Sequence, residues 1–110
     1  GTPLNDLSES RGINSVFGEV APDVPVSSNK YSLGHTLGAA GAVSSVVAVQ
    51  AIRDGVIPGT LNLRQKDPEC TVNAVAENIR TTVSTVLVNA FGFGGQNASL
   101  VFRRWSPTGR

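Results

Sequence analysis

The stretch Gly34-His35-Thr36-Leu37-Gly38-Ala39-Ala40-Gly41-Ala42-Val43-Ser44-Ser45-Val46-Val47-Ala48-Val49-Gln50-Ala51-Ile52-Arg53 decides how the rest of the chain is read. Gly38 to Ala42 are small enough for another backbone to approach closely. Val43, Val46, Val47, Val49 and Ile52 follow, with hardly any polar face. A helix apolar on most sides has to be buried on most sides, so the stretch predicts a buried helix surrounded by a body larger than itself. Gly55 and Pro58 close it. Its weakly polar part, Gly38 to Ile52, is too short for a bilayer and is broken by Ser44, Ser45 and Gln50.

Upstream, Gly1 to Asp6 reads as a turn running into a helix, with Pro3 near the first helical position and Asn5 or Asp6 able to cap exposed amides. Leu4, Leu7, Ile13, Val16 and Phe17 recur at roughly helical spacing up to Gly18, a natural stop. Ala21 to Pro25 is a Pro-punctuated loop, and the alternation of Val24, Val26 and Ser28 predicts a short strand ending near Lys30. Downstream, Ile57 to Leu63 reads as an extended surface connection and Arg64 to Arg80 as polar and loop-like. Val83, Thr85, Leu87 and Asn89 alternate with Ser84, Val86, Val88 and Ala90, both sets largely apolar, which predicts a strand covered on both faces. Phe91 to Asn97 is a glycine-rich turn, Ala98 to Arg104 a strand returning antiparallel, and Ser106 to Arg110 a fraying tail.

The sum is an α/β chain of about three strands and two helices, in the order helix, strand, helix, strand, strand. That is too little partner surface for so apolar a helix. A chain of this size is expected to bury about two-thirds of its unfolded surface, yet nothing obvious covers the second face of the strand at Val83 to Ala90. The residues are therefore expected to belong to a bigger fold. The absence of Met and the start at Gly1 point the same way, to excision from a longer chain.

Composition excludes several function classes. The 110 residues hold nine Lys or Arg against eight Asp or Glu, and six aromatics, which supply neither a basic field for phosphates nor a stacking surface for bases. Nucleic acid is not an expected partner. One Cys and one His make neither a disulfide framework nor a tetrahedral zinc site, so no metal or other cofactor is expected. With no leader and no membrane span, a soluble intracellular protein is expected.

Two constellations remain that suit chemistry. His35 lies between Gly34 and Thr36 at the mouth of the apolar helix, where the positive potential of a helix N-terminus keeps an imidazole neutral and able to donate to a carbonyl. Lys30, five residues earlier, reaches the same concavity and would support developing negative charge. The second is Asn89-Ala90-Phe91-Gly92-Phe93-Gly94-Gly95-Gln96-Asn97. Its glycines Gly92, Gly94 and Gly95 allow positive φ and expose backbone N–H groups, as an oxyanion hole needs, and leave Phe93 free to swing. An ordinary tight hairpin has the same glycine pattern. Cys70 is rejected as a nucleophile: it sits in the weakest-patterned loop, and its acidic neighbours raise its pKa.

These motifs resemble, in order and across nearly the whole chain, the C-terminal part of a β-ketoacyl-acyl-carrier-protein synthase. The carrying blocks are Gly1-Thr2-Pro3-Leu4-Asn5-Asp6, Ser28-Asn29-Lys30 with Gly34 to Ala42, Ile57 to Leu63 with Asp67-Pro68-Glu69-Cys70, and Asn89 to Asn97 with Leu100. The resemblance implies part of the C-terminal half of a thiolase-like fold, a mixed sheet with a buried helix. It implies an acyltransferase in which a Cys takes an acyl group from a carrier thioester and a malonyl thioester decarboxylates to supply the attacking carbanion. Acyl carrier protein bearing acyl and malonyl groups is the implied partner, in fatty acid or polyketide synthesis, with a homodimer in the cytoplasm, or in an organelle, as the expected setting.

By the same resemblance His35 is the second of two histidines and donates to the malonyl thioester carbonyl, and Lys30 is the supporting lysine. Phe93 is the gating phenylalanine, whose N–H is one oxyanion donor. Gly1-Thr2-Pro3 resembles the end of His-Gly-Thr-Gly-Thr-Pro, so residues 1–110 are expected to begin just after the first histidine and to lack both it and the nucleophile. Two positions depart from the family pattern. Ser44 stands nine residues after His35, where a Glu partnering the lysine is usual, and Gln96 stands where Thr is frequent. The alternative to a condensing enzyme is a non-catalytic chain that binds or completes a ketosynthase partner.

Overall fold

The structure is a computed structural model that describes residues 1–107; the end of the tail expected to fray, 108–110, lies outside the described residues. Helix α1 (Pro3–Phe17) starts with Pro3 in the first turn, where its missing N–H costs nothing. The cap is Thr2 rather than Asn5 or Asp6: its Oγ1 accepts from the Asn5 N–H at 3.4 Å. Asn5 and Asp6 are already inside the first turn, and capping falls to the extended residue that precedes it. Gly18, at φ 54°, ends α1 as expected, and a 3₁₀ segment (Gly18–Asp23) leads to strand β1 (Pro25–Val26).

A single helical turn, α2 (Lys30–Leu33), and a 3₁₀ turn (Leu37–Ala39) precede the main helix α3 (Ala40–Asp54), which Gly55 closes in the left-handed conformation. Strands β2 (Val56–Ile57), β3 (Asn73–Ala74) and β4 (Ile79–Arg80) are two residues each. The hairpin β5 (Thr85–Phe91) and β6 (Asn97–Arg103) is paired from Thr85 opposite Arg103 to Phe91 opposite Asn97. β1 pairs with β3 in parallel, and β2 with β4 antiparallel.

The long elements follow the expected order. The additions are α2, β2, β3 and β4, because a pairing two residues long has no period to read. They change the reading of two segments. Val56 to Thr60, expected in part as a surface connection, is half-buried, and the loop-like Arg64 to Arg80 contributes two strands and the buried Val75.

Helix α3 lies on the β5–β6 hairpin. A Cβ placed on Gly41 would meet the Ala90 Cβ at 3.8 Å, ordinary van der Waals contact, so small residues set the spacing of helix and sheet there. At the other end the Arg104 guanidinium donates to the Ile52 carbonyl, a cation at the end of the helix where carbonyls lack partners. The Arg104 N–H pairs with the Ser84 carbonyl at 2.8 Å. Ala48, Ala51, Ile52, Val83 and Val88 are buried in this layer.

The two faces expected to need a larger body are bare in these residues. α3 is covered on one side only, leaving Val46 60% and Val49 50% exposed. β5 alternates between the covered Val86 and Val88 and the exposed Thr85, Leu87 and Phe91. These residues give each element a neighbour on one face alone. The whole surface is 8037 Å², against about 5,800 Å² for a self-contained globular chain of this mass. Only about half of the unfolded surface is removed from water, not two-thirds.

One tight contact fixes the β2–β4 side. A Cβ on Gly59 would come within 2.5 Å of the Ala76 carbonyl oxygen and 2.7 Å of the Glu77 backbone, neither of which is a flexible side-chain end. Gly59→Ala should lower stability by about 1–3 kcal/mol, measured as a lower urea midpoint at unchanged slope.

Candidate active site

A broad hollow of about 1730 Å³ opens beside the exposed face of β5. Its walls come from distant parts of the sequence: α1 with Asp6 and Glu9, the segment with Lys30, His35 and Leu37, the connection with Thr60 and Asn62, and β5–β6 with Asn89, Phe91 and Ser99. Lys30, His35, Gly92, Phe93, Gly94 and Gly95 all line it. Cys70 does not.

The segment carrying His35 is bent rather than helical. The apolar helix begins at Ala40, not at Gly34, so His35 precedes a 3₁₀ turn instead of sitting on the first turn of α3. The glycines and Leu37 explain this: Gly34 is at φ 80° and Leu37 at φ 49°, outside right-handed helix geometry. A left-handed leucine is uncommon and costs free energy. It aims the Leu37 N–H at His35 Nδ1, 3.1 Å away. A nitrogen that accepts a hydrogen bond carries no proton, so the ring proton is on Nε2, which remains a donor. The partner of this imidazole is therefore a backbone amide two residues on, and the ring stands ahead of a 3₁₀ turn rather than on the N-terminus of α3 expected from the sequence. Asn62, the other non-glycine residue of positive φ among the described ones (φ 66°), lines the same hollow.

Lys30 opens α2, and its N–H donates to Ser28 Oγ at 3.4 Å. Its ammonium makes no ion pair with a described carboxylate. Ser44, standing where the family resemblance implies a glutamate, bonds instead to the side chain of Asn29, with Asn29 Nδ2 3.3 Å from Ser44 Oγ. Ser28 is tied in turn by its N–H to Thr60 Oγ1 at 3.1 Å.

The glycine-rich segment is both a hairpin and a wall of the hollow. Gly92 N–H donates to the Gln96 carbonyl at 2.7 Å, closing a tight turn in which Gly94 and Gly95 stand at φ 83° and 81°, values only glycine adopts readily. Phe93 is 91% exposed, and its N–H has no acceptor among the described residues. Below the turn, Ser99 Oγ donates to Asn89 Oδ1 at 2.7 Å across the strands. Asn89 belongs to the constellation read from the sequence, whereas Ser99, Asp6 and Glu9 were not singled out there as wall residues. For the acids the signal was present, since i, i+3 spacing puts them on one face of α1.

Residues 1–64 match the family described as beta-ketoacyl synthase, C-terminal domain. The chain belongs to this family. It is 45% identical over 104 residues to 3-oxoacyl-(acyl-carrier-protein) synthase 2 of Coxiella burnetii, with 94% of this chain and 25% of the relative covered. It is 41% identical over 105 residues to the protein of that name from Synechocystis sp., with the same coverage. The chain thus spans about a quarter of the length of the curated relatives it matches. Among solved structures it is similar, at TM-score 0.91 and 32% identity over 96% of this chain and 26% of the other, to a ketosynthase. That ketosynthase was solved bound to a hexaketide and in complex with a type II polyketide synthase acyl-carrier protein. The fold of these residues is the ketosynthase, thiolase-like one. No described helix is long and apolar enough to cross a membrane.

Two outcomes test the site. His35 is the single histidine of this sequence, so ¹⁵N spectra of the neutral ring should show a protonated Nε2 and a bare Nδ1. The Cys70 thiol is pushed up from its ordinary pKa, first by burial and then by Asp67, Asp6 and Glu69. Its thiolate fraction at neutral pH falls below that of a free thiol, and its alkylation rate by iodoacetamide should keep climbing to higher pH than a small thiol's.

Proposed function

We propose that these residues form the C-terminal portion of the active site of a β-ketoacyl-acyl-carrier-protein synthase, carrying out decarboxylative condensation in fatty acid or polyketide synthesis. The observation behind the reading is convergence. Lys30, His35 and the Gly92–Gly95 turn, separated by up to sixty-five residues, line one hollow with a free ring N–H and a free backbone N–H.

The chemistry follows from those donors. An acyl group waits as a thioester on a Cys of the complete enzyme, and malonyl on acyl carrier protein enters the hollow. Cleavage of the bond between the malonyl α-carbon and its carboxylate releases carbon dioxide and leaves the electron pair as an enolate. His35 Nε2–H donates to the thioester oxygen on which that charge collects, which lowers the barrier because the bond strengthens as the charge grows. The Lys30 ammonium adds favourable potential. The α-carbon then attacks the acyl carbon, whose oxygen takes charge opposite the Phe93 N–H, and the Cys sulfur leaves as thiolate. With its glycine neighbours, Phe93 is free to admit or close off the acyl chain.

In this reading residues 1–110 are a partial ketosynthase domain that begins just after the first catalytic histidine. They are inactive alone and work within a homodimeric cytoplasmic enzyme served by acyl carrier protein. Acyl-carrier-protein partnership is supported by the similar ketosynthase solved with its own carrier. The retained His35 and Lys30 favour catalysis over a purely structural role. Cys70 is not the nucleophile, since it lies outside the hollow and its thiol is the less readily ionised.

In the full-length polypeptide, His35→Ala should lower malonyl decarboxylation by about 10²–10³-fold, the loss typical of removing one oxyanion donor, while acyl transfer to the Cys proceeds. Radiolabelled malonyl and acyl carrier substrates measure the two half-reactions separately; unchanged decarboxylation would remove His35 from the chemistry. Residues 1–110 alone should bind a hydrophobic dye strongly through the bare faces of α3 and β6.

A further inference from the structure

We propose that Asn29 and Ser44 act as a positioning pair that sets where Lys30 and His35 stand in the hollow. The inference rests on the functional reading above and goes beyond it by assigning two residues that touch no substrate. Asn29 immediately precedes α2, and Ser44 lies in the second turn of α3. Their side chains meet in a part-buried contact across fifteen residues, Asn29 Nδ2 to Ser44 Oγ at 3.3 Å and Ser44 Oγ to Asn29 Oδ1 at 3.5 Å. Both Lys30 and His35 lie on the loop this contact closes.

That loop has little else to hold it. Residues 31–39 are all exposed. The hydrogen bonds of this stretch are local: Ser32 and Leu33 N–H to the Asn29 carbonyl, Gly34 N–H to the Lys30 carbonyl at 2.7 Å, Leu37 N–H to His35, and Ala39 N–H to the Thr36 carbonyl. Among the described residues no hydrogen bond runs from this stretch to the sheets or to α1. Its position is therefore inherited from its two ends. One end is α3, fixed on the hairpin. The other is Ser28 to Lys30, held by Ser28 N–H on Thr60 Oγ1 and by the Asn29–Ser44 contact. The second of these ties one end of the loop directly to the helix that forms the other.

Removing either partner leaves a half-buried polar group without its mate and frees the loop to shift. Displacement of a catalytic donor by about 1 Å costs up to about 10²-fold in rate. Because the donor concerned serves the malonyl half-reaction, that half should suffer selectively. A general loss of stability would lower both halves together.

The test uses the full-length polypeptide and four variants: Ser44→Ala, Asn29→Ala, the double variant and Ser44→Thr, with His35→Ala in parallel. Ser44→Ala and Asn29→Ala should each cut malonyl decarboxylation by about tenfold to a hundredfold and leave acyl transfer unchanged. The double variant should lose no more than either single one, since the two groups act as a unit. Ser44→Thr, which keeps a hydroxyl, should restore decarboxylation, and it keeps the test alive if Ser44→Ala does not fold. Intact decarboxylation in the single variants, equal losses in both half-reactions, or losses that multiply in the double variant would overturn the pairing. If decarboxylation survives His35→Ala, the functional reading falls and the pairing with it. If His35→Ala abolishes it while Ser44→Ala does not, only the pairing falls.

Discussion

The packing of α3 on β5, which sets Gly41 over Ala90, fixes the geometry on which the site depends. Ala90 is one residue from the end of β5, and Gly41 is the second residue of α3. The helix therefore runs antiparallel to β5, with its start over the strand's end. His35 leads into that helix and Gly92 leads out of that strand, so the packing of this helix on this strand brings both loops to the same edge of the layer. At the opposite edge Arg104 binds the Ile52 carbonyl and the Ser84 carbonyl, which keeps the helix from pivoting about its narrow end.

The same arrangement explains what the sequence could and could not reveal. The helix was legible because its composition is extreme, and the hairpin because seven residues on each side of a glycine turn alternate in a recognisable way. The start of the helix was not. Ala39, Ala40 and Ala42 have helical propensity enough to extend the pattern backward, and the positive φ of Gly34 and Leu37 breaks it, a tertiary outcome that no local preference for leucine would suggest. The short pairings of β1 with β3 and β2 with β4 were invisible for a different reason. They are set by long-range contacts such as Val75 N–H on the Val26 carbonyl, with Gly59 packed against the Ala76 and Glu77 backbone.

The residues of the site were readable mainly through family resemblance, and the physics found for them differs in part from what was expected. A helix N-terminus and an amide hydrogen bond both favour a ring able to donate, but they do so differently. The first acts through field and falls off over a turn. The second selects a nitrogen. The donor is thereby pointed: with Nδ1 occupied by the Leu37 amide, Nε2–H is the ring donor left to face the hollow. Strain at Leu37 is the expected accompaniment, since local strain is tolerated where surrounding structure over-determines the conformation.

Charge is placed with similar restraint. Asp6 and Glu9 face the hollow from α1, and Lys30 faces it from α2, with no described ion pair between them. An ammonium engaged by a carboxylate in contact would project little field, whereas one held apart from its counter-charges keeps its potential for a charge that appears only during reaction. The neutral Asn29–Ser44 contact serves that end, because it anchors the lysine's own turn without drawing on the lysine's charge. A hydrogen bond between uncharged groups is also less sensitive to ionic strength than an ion pair would be. The loop that carries Lys30 and His35 is thus held by contacts that engage neither the Lys30 ammonium nor the His35 Nε2 among the described residues, so what fixes this loop is separate from the groups it presents to the hollow.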